Sequence, residues 1–381
     1  MIFCHAPWTN IDINQQGTIA PCCKFRHVHY NESEYNIFDH SVEQYIESDT
    51  LTSVKEDFKQ GNWPIGCIRC KTEEENRIPS KRQMDYKRWQ SVLDSRDLIK
   101  KEFITSSIAF GNTCNLKCIT CSSWASSRWH KEYKDLTGMD IKPVHFRKNK
   151  FVEEFVKWAP DMLHIDIPGG EPFLSGVPAQ HQLLDYYITT GKAQHMTLHY
   201  TTNVTIWPND EWWTRWQHFK NVEIQLSLDG IDQQFEYIRH PANWNTVLQH
   251  IKQYQTKQIK YINVELSVAH TVSAYNVYYL DKFYAWCESV GLPKPWCGRV
   301  HDPNEMRPTV WHGKAKQAII KRLYKSKFID VRKWAQLMLE NDDSEHYDAF
   351  VKRTAWHDQY RGTNFSKIFP EMSEYLLTHA S

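Results

Sequence analysis

The sequence lacks an excess of charge of either sign, long apolar runs and internal repeats. Its 46 basic and 45 acidic residues leave a net charge of +1, which counts against a protein that binds chiefly the phosphate backbone of nucleic acids. No apolar run approaches the length of a membrane span. The first eight residues lack the basic and apolar regions of a signal peptide, so we expect a cytoplasmic protein.

Ten cysteines are present, and they are unevenly spaced. In a reducing compartment, clustered cysteines indicate metal binding or catalysis before disulfides. Five fall within the first 70 residues, and three more lie within eight residues of one another. The ten are Cys4, Cys22, Cys23, Cys67, Cys70, Cys114, Cys118, Cys121, Cys287 and Cys297. The chain length of 381 residues predicts two or three domains.

Between about residues 103 and 300, strand patterns alternate with helix patterns, which predicts a parallel sheet with helices outside. The predicted strands are 104–110, 163–167, 196–200, 222–228 and 262–268, and the helices between them include 151–158, 178–190 and 244–256. Four of the strands have one apolar and one polar face, whereas a doubly wound sheet is apolar on both. The pattern favours a barrel with a polar lumen, and the polar face that would line it includes His164, Asp166 and His199. An antiparallel sheet with a solvated face is the alternative.

The flanking segments have patterns of their own. Residues 8–13 and 18–20, around a turn at 15–17, predict a β-hairpin. Residues 41–60 have a helical pattern, and the charged stretch from Cys70 to about 101 predicts a helix and a linker. Residues 302–381 predict amphipathic helices that form a cap or an interaction surface.

The three central cysteines have a spacing that suits one metal centre. Cys114, Cys118 and Cys121 follow the first predicted strand of the alternating region. Structural zinc takes four ligands, and no histidine or fourth cysteine follows directly. Three thiolates on a [4Fe–4S] cluster would leave one iron open for a further ligand. On spacing alone, zinc and chance remain alternatives.

This loop resembles the Cys-x3-Cys-x2-Cys motif of the radical S-adenosylmethionine (SAM) superfamily, which also follows the first barrel strand. Gly169-Gly170-Glu171-Pro172 after the second strand looks like the family's glycine–glycine–glutamate motif. Thr201-Thr202-Asn203 and Ser227-Leu228-Asp229-Gly230, the latter followed by Arg239, are similar to strand-end motifs that hold SAM in the family. The resemblance covers roughly residues 103–300.

The resemblance implies a fold, two cofactors and a set of site residues. It implies a partial (β/α)6 TIM-type barrel in which Cys114, Cys118 and Cys121 bind a [4Fe–4S] cluster. The reduced cluster would cleave SAM to a 5′-deoxyadenosyl radical that abstracts hydrogen from a substrate, with flavodoxin or ferredoxin as an external electron donor. Glu171 would orient the amino group of SAM. The residues implied in SAM binding are Gly169, Gly170, Glu171, Asn203, Ser227, Arg239 and Thr120. Thr120 stands where the family usually has an aromatic residue, so Trp124 or Ile119 is an alternative contact for the adenine.

The N-terminal cysteines form a second constellation. Cys4, Cys22, Cys67 and Cys70 could supply four thiolates, a set that suits zinc as well as an iron–sulfur cluster. Their pattern resembles the SPASM and smaller twitch domains, which carry auxiliary clusters in radical SAM enzymes, and it implies one auxiliary [4Fe–4S] cluster. Cys23 is an alternative to Cys22. In most relatives this domain follows the barrel, whereas here it precedes it.

Together these patterns predict an α/β enzyme with three parts. Residues 1–100 would form a β-hairpin/helix auxiliary-cluster domain and linker, residues 101–300 the barrel, and residues 301–381 a helical extension. The enzyme would be an oxidoreductase or would modify a polar metabolite or a peptide side chain, without acting at a membrane. Two alternatives remain: an RNA-modifying radical SAM enzyme, which the charge balance disfavours, and a non-enzymatic zinc-binding interaction protein.

Overall fold

The computed structural model describes residues 2–27, 35–94, 103–140 and 150–377, and the predicted domain boundary near residue 100 lies outside these ranges. The strands β1 to β8 are Asn10–Ile13, Ile19–Ala20, Thr105–Ile108, His164–Ile167, Thr197–Thr202, Asn221–Ser227, Val264–Val272 and Trp296–Arg299. The helices α1 to α9 are Ala6–Thr9, Val42–Ile46, Asp49–Lys59, Ile68–Glu75, Lys81–Leu93, His130–Thr137, Lys150–Trp158, Val177–Thr189 and Asp210–Trp216. The helices α10 to α17 are Asp232–Ile238, Trp244–Lys260, Leu280–Ser289, Gly313–Tyr324, Ile329–Glu340, Tyr347–Arg361, Phe365–Ile368 and Pro370–Leu377.

The strands form one mostly parallel sheet in the order β2-β1-β3-β4-β5-β6-β7-β8. Only the β1–β2 hairpin pairing is antiparallel among the pairs whose register the described residues give. The alternation of strands and helices therefore predicted an α/β fold correctly, and the antiparallel alternative is wrong. The N-terminal hairpin forms as predicted, but β1 pairs with β3 and extends the same sheet. Its alternation of Asn10, Ile11, Asp12 and Ile13 matches the two-faced pattern of the neighbouring strands.

The chain divides into two compact units. The first comprises residues 1–115, 124–201 and 208–223, and the second comprises residues 116–123, 202–207 and 224–381. In the first unit, the isoleucines of β1 and β4 are buried on one face of the sheet, against the helix layer. An aromatic cluster of Phe173, Tyr200, Trp212 and Trp216 fills this layer. The tryptophans of α9 are thus core residues, which stabilise by burial of large apolar surfaces.

Two serines set the starts of helices in the first unit. The side chain of Ser41 accepts from the Gln44 N–H at the start of α2, and that of Ser80 accepts from the Gln83 N–H at the start of α5. Both glutamines reach back to the N-cap backbone, which completes a capping box at each helix. The predicted helix over 41–60 is in fact α2 and α3, because Ser48 caps a second helix start.

The second unit contains β7, β8 and the C-terminal helices. Its core includes a second aromatic cluster in which Tyr275 contacts Tyr237, Phe350, Phe365 and Phe369. The amphipathic pattern of residues 302–381 predicted the helices α13 to α17, and these aromatic side chains account for their packing. Over the described ranges, the structure contains no helix with the length and apolarity needed to cross a membrane.

Candidate functional site

The four N-terminal cysteines that the sequence grouped together line one cavity of the first unit. Cys4, Cys22, Cys67 and Cys70 share its wall with apolar and charged side chains. The other lining residues are Ala6, Lys24, Phe25, Phe58, Trp63, Lys81, Arg82 and Asp85. Residues separated by up to 66 positions in the chain thus present four thiols to one space.

Short elements bring these cysteines together. Cys4 precedes helix α1, Cys22 follows strand β2, and Cys70 lies in the first turn of α4. The Arg26 N–H donates to the Gly66 carbonyl (3.0 Å), which ties the segment after Cys22 to the turn before Cys67. Arg82 of α5 donates to the Phe3 carbonyl (2.7 Å) and forms a bidentate ion pair with Glu74 of α4. The cavity wall is therefore held by bonds between distant segments.

The four thiols of the cavity are partly or fully buried. Partial burial raises the pKa of Cys4 to about 12, and burial also raises the pKa values of Cys22 and Cys67. A thiol with a raised pKa stays protonated at neutral pH unless a metal replaces its proton. The donor set and its surroundings therefore fit a cluster that binds four thiolates and releases protons on binding.

The structure distinguishes Cys22 from Cys23. Cys22 lines the cavity, whereas Cys23 is exposed and is not among the lining residues. The charged neighbours of Cys23 are Asp12, Lys81, Asp166 and Asp85, of which Lys81 and Asp85 also line the cavity. Across the described residues, no three histidine, cysteine or acidic side chains are gathered as ligands of a single metal ion.

The loop with the first of the central cysteines belongs to the first unit. The Cys114 N–H donates to the Ser127 hydroxyl (3.3 Å), and the Glu171 N–H donates to the Thr113 carbonyl (2.9 Å). A Cβ atom on Gly170 would lie 2.4 Å from that same Thr113 oxygen, so only glycine allows the close approach. Glu171 is fully buried beside this loop. The glycine–glycine–glutamate segment and the start of the cysteine loop are therefore in direct backbone contact.

The other two central cysteines belong to the second unit. The Cys121 N–H donates to the Cys118 carbonyl (3.0 Å), which closes a turn. The N–H groups of Lys117 and Ile119 donate to the carbonyls of His240 and Ile238 (both 2.7 Å), so the cysteine loop is bonded to the segment around Arg239.

Arg239 itself is buried and charged. Its Nε lies 2.8 Å from Asp229 Oδ2, and the second oxygen of Asp229 accepts from the Thr271 N–H (2.7 Å). Although burial opposes it, the Asp229 carboxylate raises the pKa of Arg239, and Cys118 and Cys121 contribute in the same direction. This places a fixed cation beside two of the candidate cluster ligands. The sequence named Arg239 but gave no role to Asp229, which holds it.

Of the remaining predicted SAM contacts, Asn203 and Ser227 lie at strand ends of the second unit, and Thr120 lies in the cysteine loop. Asn203 is buried, and its side-chain oxygen accepts from the N–H (2.9 Å) and the hydroxyl (2.6 Å) of Thr205. The next residue, Val204, has a φ of 66°, which is a strained conformation for a β-branched residue. Ser227 ends β6 and is buried, and Thr120 is partly exposed.

Sequence reasoning missed a set of polar residues on α5. Lys81, Asp85, Arg88 and Trp89 recur at helical spacing, and Arg88 and Trp89 contact His164 of β4. Lys81 forms an ion pair with Asp85 (2.7 Å). The helix α5 therefore lies against His164 at the polar face of the first unit's sheet. The signal was present in the spacing 81, 85, 88 and 89, which the charged character of the segment obscured.

Both late cysteines lie in the second unit, Cys287 in helix α12 and Cys297 in strand β8. Cys297 lies opposite His270 in the β7–β8 register, and it contacts the Tyr284 hydroxyl of α12 (3.3 Å). The His270 ring packs on Phe283 of the same helix. Cys297 therefore faces the helix layer, as a packing residue does.

The comparisons with known proteins support the N-terminal assignment. The model of the SPASM iron–sulfur cluster-binding domain matches residues 4–71, a segment that includes all four cavity cysteines and less than a fifth of the chain. This match confirms the predicted resemblance of the N-terminal segment and its position at the start of the chain. None of the curated proteins matches the chain.

The solved structures that match the chain have low sequence identity and low structural similarity to it. A structure of native anSMEcpe with bound AdoMet is 16% identical with a TM-score of 0.42, and the match covers 62% of each chain. Streptococcus suis SuiB bound to its precursor peptide SuiA is 12% identical with a TM-score of 0.39, covering 95% of this chain and 73% of SuiB. TYW1 with a lysine–pyruvate adduct is 13% identical with a TM-score of 0.37, covering 67% of this chain and 81% of TYW1. The chain spans less than two thirds of the length of anSMEcpe, and at these TM-scores none of the three carries an argument about function.

Proposed function

We propose that this chain is a radical SAM enzyme with an auxiliary [4Fe–4S] cluster in its N-terminal segment. The observation that carries the proposal is the position of the four motifs. Cys114 follows β3, Gly169 follows β4, Asn203 follows β5 and Asp229 follows β6, in each case within a few residues. Sites of barrels and other α/β folds lie at the carboxyl ends of their parallel strands.

In this proposal, Cys114, Cys118 and Cys121 hold the cluster that binds SAM, and Cys4, Cys22, Cys67 and Cys70 hold the auxiliary cluster. When bound, the first cluster supplies the reductive cleavage of SAM to a 5′-deoxyadenosyl radical. The chain's own residues position and shield the reactants. The buried Glu171 is fixed by its backbone bond to Thr113, where its carboxylate can accept hydrogen bonds from the SAM amino group.

The proposal extends to the domains, the substrate and the partners. Residues 101–300 would form a partial barrel between the auxiliary-cluster segment and the helical extension. The polar face formed by β1, β3, β4 and β5 supports a polar substrate, either a small metabolite or a peptide side chain. A flavodoxin or a ferredoxin would deliver the electron, and the reaction would take place in the cytoplasm.

Anaerobic purification and iron analysis test this function. We expect a brown protein with about eight irons per chain, the content of two [4Fe–4S] clusters. With dithionite and SAM, this protein should form 5′-deoxyadenosine and methionine. A colourless protein with two zinc ions would contradict the proposal and favour a zinc-binding interaction protein instead.

Replacing Glu171 by alanine tests the proposed SAM contact. We expect the dissociation constant for SAM to rise by about tenfold or more, the effect of losing one hydrogen bond to a charged group. Iron content should stay unchanged, because Glu171 is not a cluster ligand. Equilibrium dialysis with labelled SAM measures the affinity, and Glu153→Ala on the exposed side of α7 is the matched control.

The Glu171→Gln variant keeps the shape and an acceptor oxygen, so its loss of affinity should be intermediate. Since Glu171 is buried, the thermal unfolding midpoint of both variants should be measured alongside. Unchanged SAM affinity in a folded Glu171→Ala variant would show that this carboxylate does not contact SAM.

A further inference from the structure

Four polar side chains form a row across the first unit's sheet. The strand registers pair Asp12 of β1 with Ser107 of β3, Ser107 with Asp166 of β4, and Asp166 with His199 of β5. Residues paired across neighbouring parallel strands project from the same face. The row therefore presents two carboxylates, a hydroxyl and an imidazole at one level of the polar face.

Hydrogen bonds to Asp166 orient the ring of His199 in this row and that of the neighbouring His164. Asp166 Oδ1 lies 3.0 Å from His164 Nε2 and 2.8 Å from His199 Nδ1. Although burial opposes it, these two hydrogen bonds hold the pKa of Asp166 well below its usual range. Since Asp166 is thus an ionised acceptor, both ring nitrogens that face it must carry protons.

Arg88 completes the network on the other side of His164. Its Nη2 lies 3.4 Å from His164 Nδ1, and a guanidinium group can only donate. His164 Nδ1 is therefore placed to accept from Arg88, while its Nε2 faces Asp166. His164 is also 3% exposed, so this ring serves to hold Asp166 in place.

His199 differs from His164 in the exposure of its ring and in the surroundings of its second nitrogen, Nε2. Its side chain is 20% exposed, and that of Asp166 is 38% exposed, so both are open to a ligand. With Nδ1 donating to Asp166, neutral His199 has a lone pair on Nε2. A carboxylate that orients an imidazole in this way fixes its tautomer and stabilises the imidazolium that forms when Nε2 takes a proton.

Asp12 closes one end of the row. It is buried, its side chain hydrogen-bonds to Ser107, and burial raises its pKa to about 7 against the opposing effect of Lys81.

We propose that the row Asp12–Ser107–Asp166–His199 binds a hydroxyl, thiol or ammonium group of the substrate and that His199 accepts its proton. The bond between hydrogen and the substrate heteroatom breaks, and the proton forms a new bond to His199 Nε2. Asp166 is the positioning residue that stabilises the resulting imidazolium. The inference rests on the proposed function only for bringing a substrate to this face.

The tautomer of His199 gives a test that needs no turnover. In the holoprotein labelled with ¹⁵N in its histidine rings, we expect His199 to carry its proton on Nδ1, whereas free histidine favours Nε2. The resonance is assigned by its loss in His199→Asn. In Asp166→Ala the Nδ1–H form should be lost, while Asp166→Asn, which keeps an acceptor oxygen, should retain it. A His199 protonated on Nε2 in the native protein would overturn the proposal.

Chemical modification tests whether Nε2 is open to a proton donor. Diethylpyrocarbonate attacks unprotonated imidazole nitrogens, so we expect it to modify His199 about tenfold faster than His164, whose ring nitrogens are both bonded. Peptide mass spectrometry measures both rates on the same sample. Equal rates would refute an accessible Nε2. Because neither readout depends on SAM cleavage, a failure here is distinct from a failure of the proposed function.

Discussion

Replacing Cys114, Cys118 and Cys121 together by alanine is expected to abolish dithionite-driven cleavage of SAM. Three thiolates hold the cluster and leave one iron open to SAM, so their loss removes the site at which the electron reaches the sulfonium. The variant should still bind about four irons per chain, because the cavity of Cys4, Cys22, Cys67 and Cys70 is built from other segments. Anaerobic product analysis for 5′-deoxyadenosine and an iron assay on the same preparation give both results.

Cys297→Ala is the matched control for this triple variant. Cys297 is partly buried like the three central cysteines, but it belongs to neither group of candidate ligands. It faces the helix layer and contacts Tyr284. We expect it to keep both SAM cleavage and iron. Continued 5′-deoxyadenosine formation by the triple variant would refute the assigned role of the central cysteines, and loss of all its iron would refute the N-terminal cluster.

The strand pattern could be predicted because burial imposes a period of two. The alternation of Leu163, Ile165 and Ile167 identified β4, and that of Val222, Ile224 and Leu226 identified β6. The same period placed Asp166 and His199 on the opposite face, where the structure brings them within 2.8 Å. Periodicity is a local property. It therefore shows on which face of its strand a side chain lies, but not which strands lie beside that strand.

Contacts between distant segments could not be predicted in this way. Nothing local to Asn10–Ile13 shows that it pairs with β3, and this pairing is what places Asp12 in line with Ser107 and Asp166. The position of α5 over the polar face also depends on long-range bonds, from Arg82 to Phe3 and from Arg88 to His164. Sequence reasoning therefore found His164, Asp166 and His199 on the polar face and missed Asp12 and the helix α5 beside them.

In the second unit, the buried pair of Asp229 and Arg239 is another contact that a local sequence pattern could not predict. Ser227-Leu228-Asp229-Gly230 predicts a strand end from sequence alone, but the partner of Asp229 lies ten residues further on. A buried carboxylate is stable only when it is paired and hydrogen-bonded, and Arg239 and the Thr271 N–H supply both interactions. The pair explains why a cation can stay buried beside Cys118 and Cys121, where thiolates would need compensating charge.

The neighbours Cys22 and Cys23 allow the auxiliary site to be tested by one pair of variants. In the background that lacks the three central cysteines, only the auxiliary cluster contributes iron. There, Cys22→Ala is expected to reduce bound iron from about four per chain to below about two after treatment with a chelator, because one of four thiolates is lost. Cys23→Ala should keep about four irons, because Cys23 is exposed and lies outside the cavity wall.

This comparison is sharp because the two residues are adjacent and chemically identical. Any general effect of removing a thiol from this segment would act on both variants. Of the two residues, only Cys22 lines the cavity. Iron assay and the absorbance of the cluster, measured on both proteins after the same anaerobic reconstitution, decide the outcome. If Cys23→Ala lost the iron and Cys22→Ala kept it, the ligand would be Cys23, and the chain around residues 22 and 23 would have to turn when the cluster binds. Equal loss in both would mean that neither thiol alone completes the site.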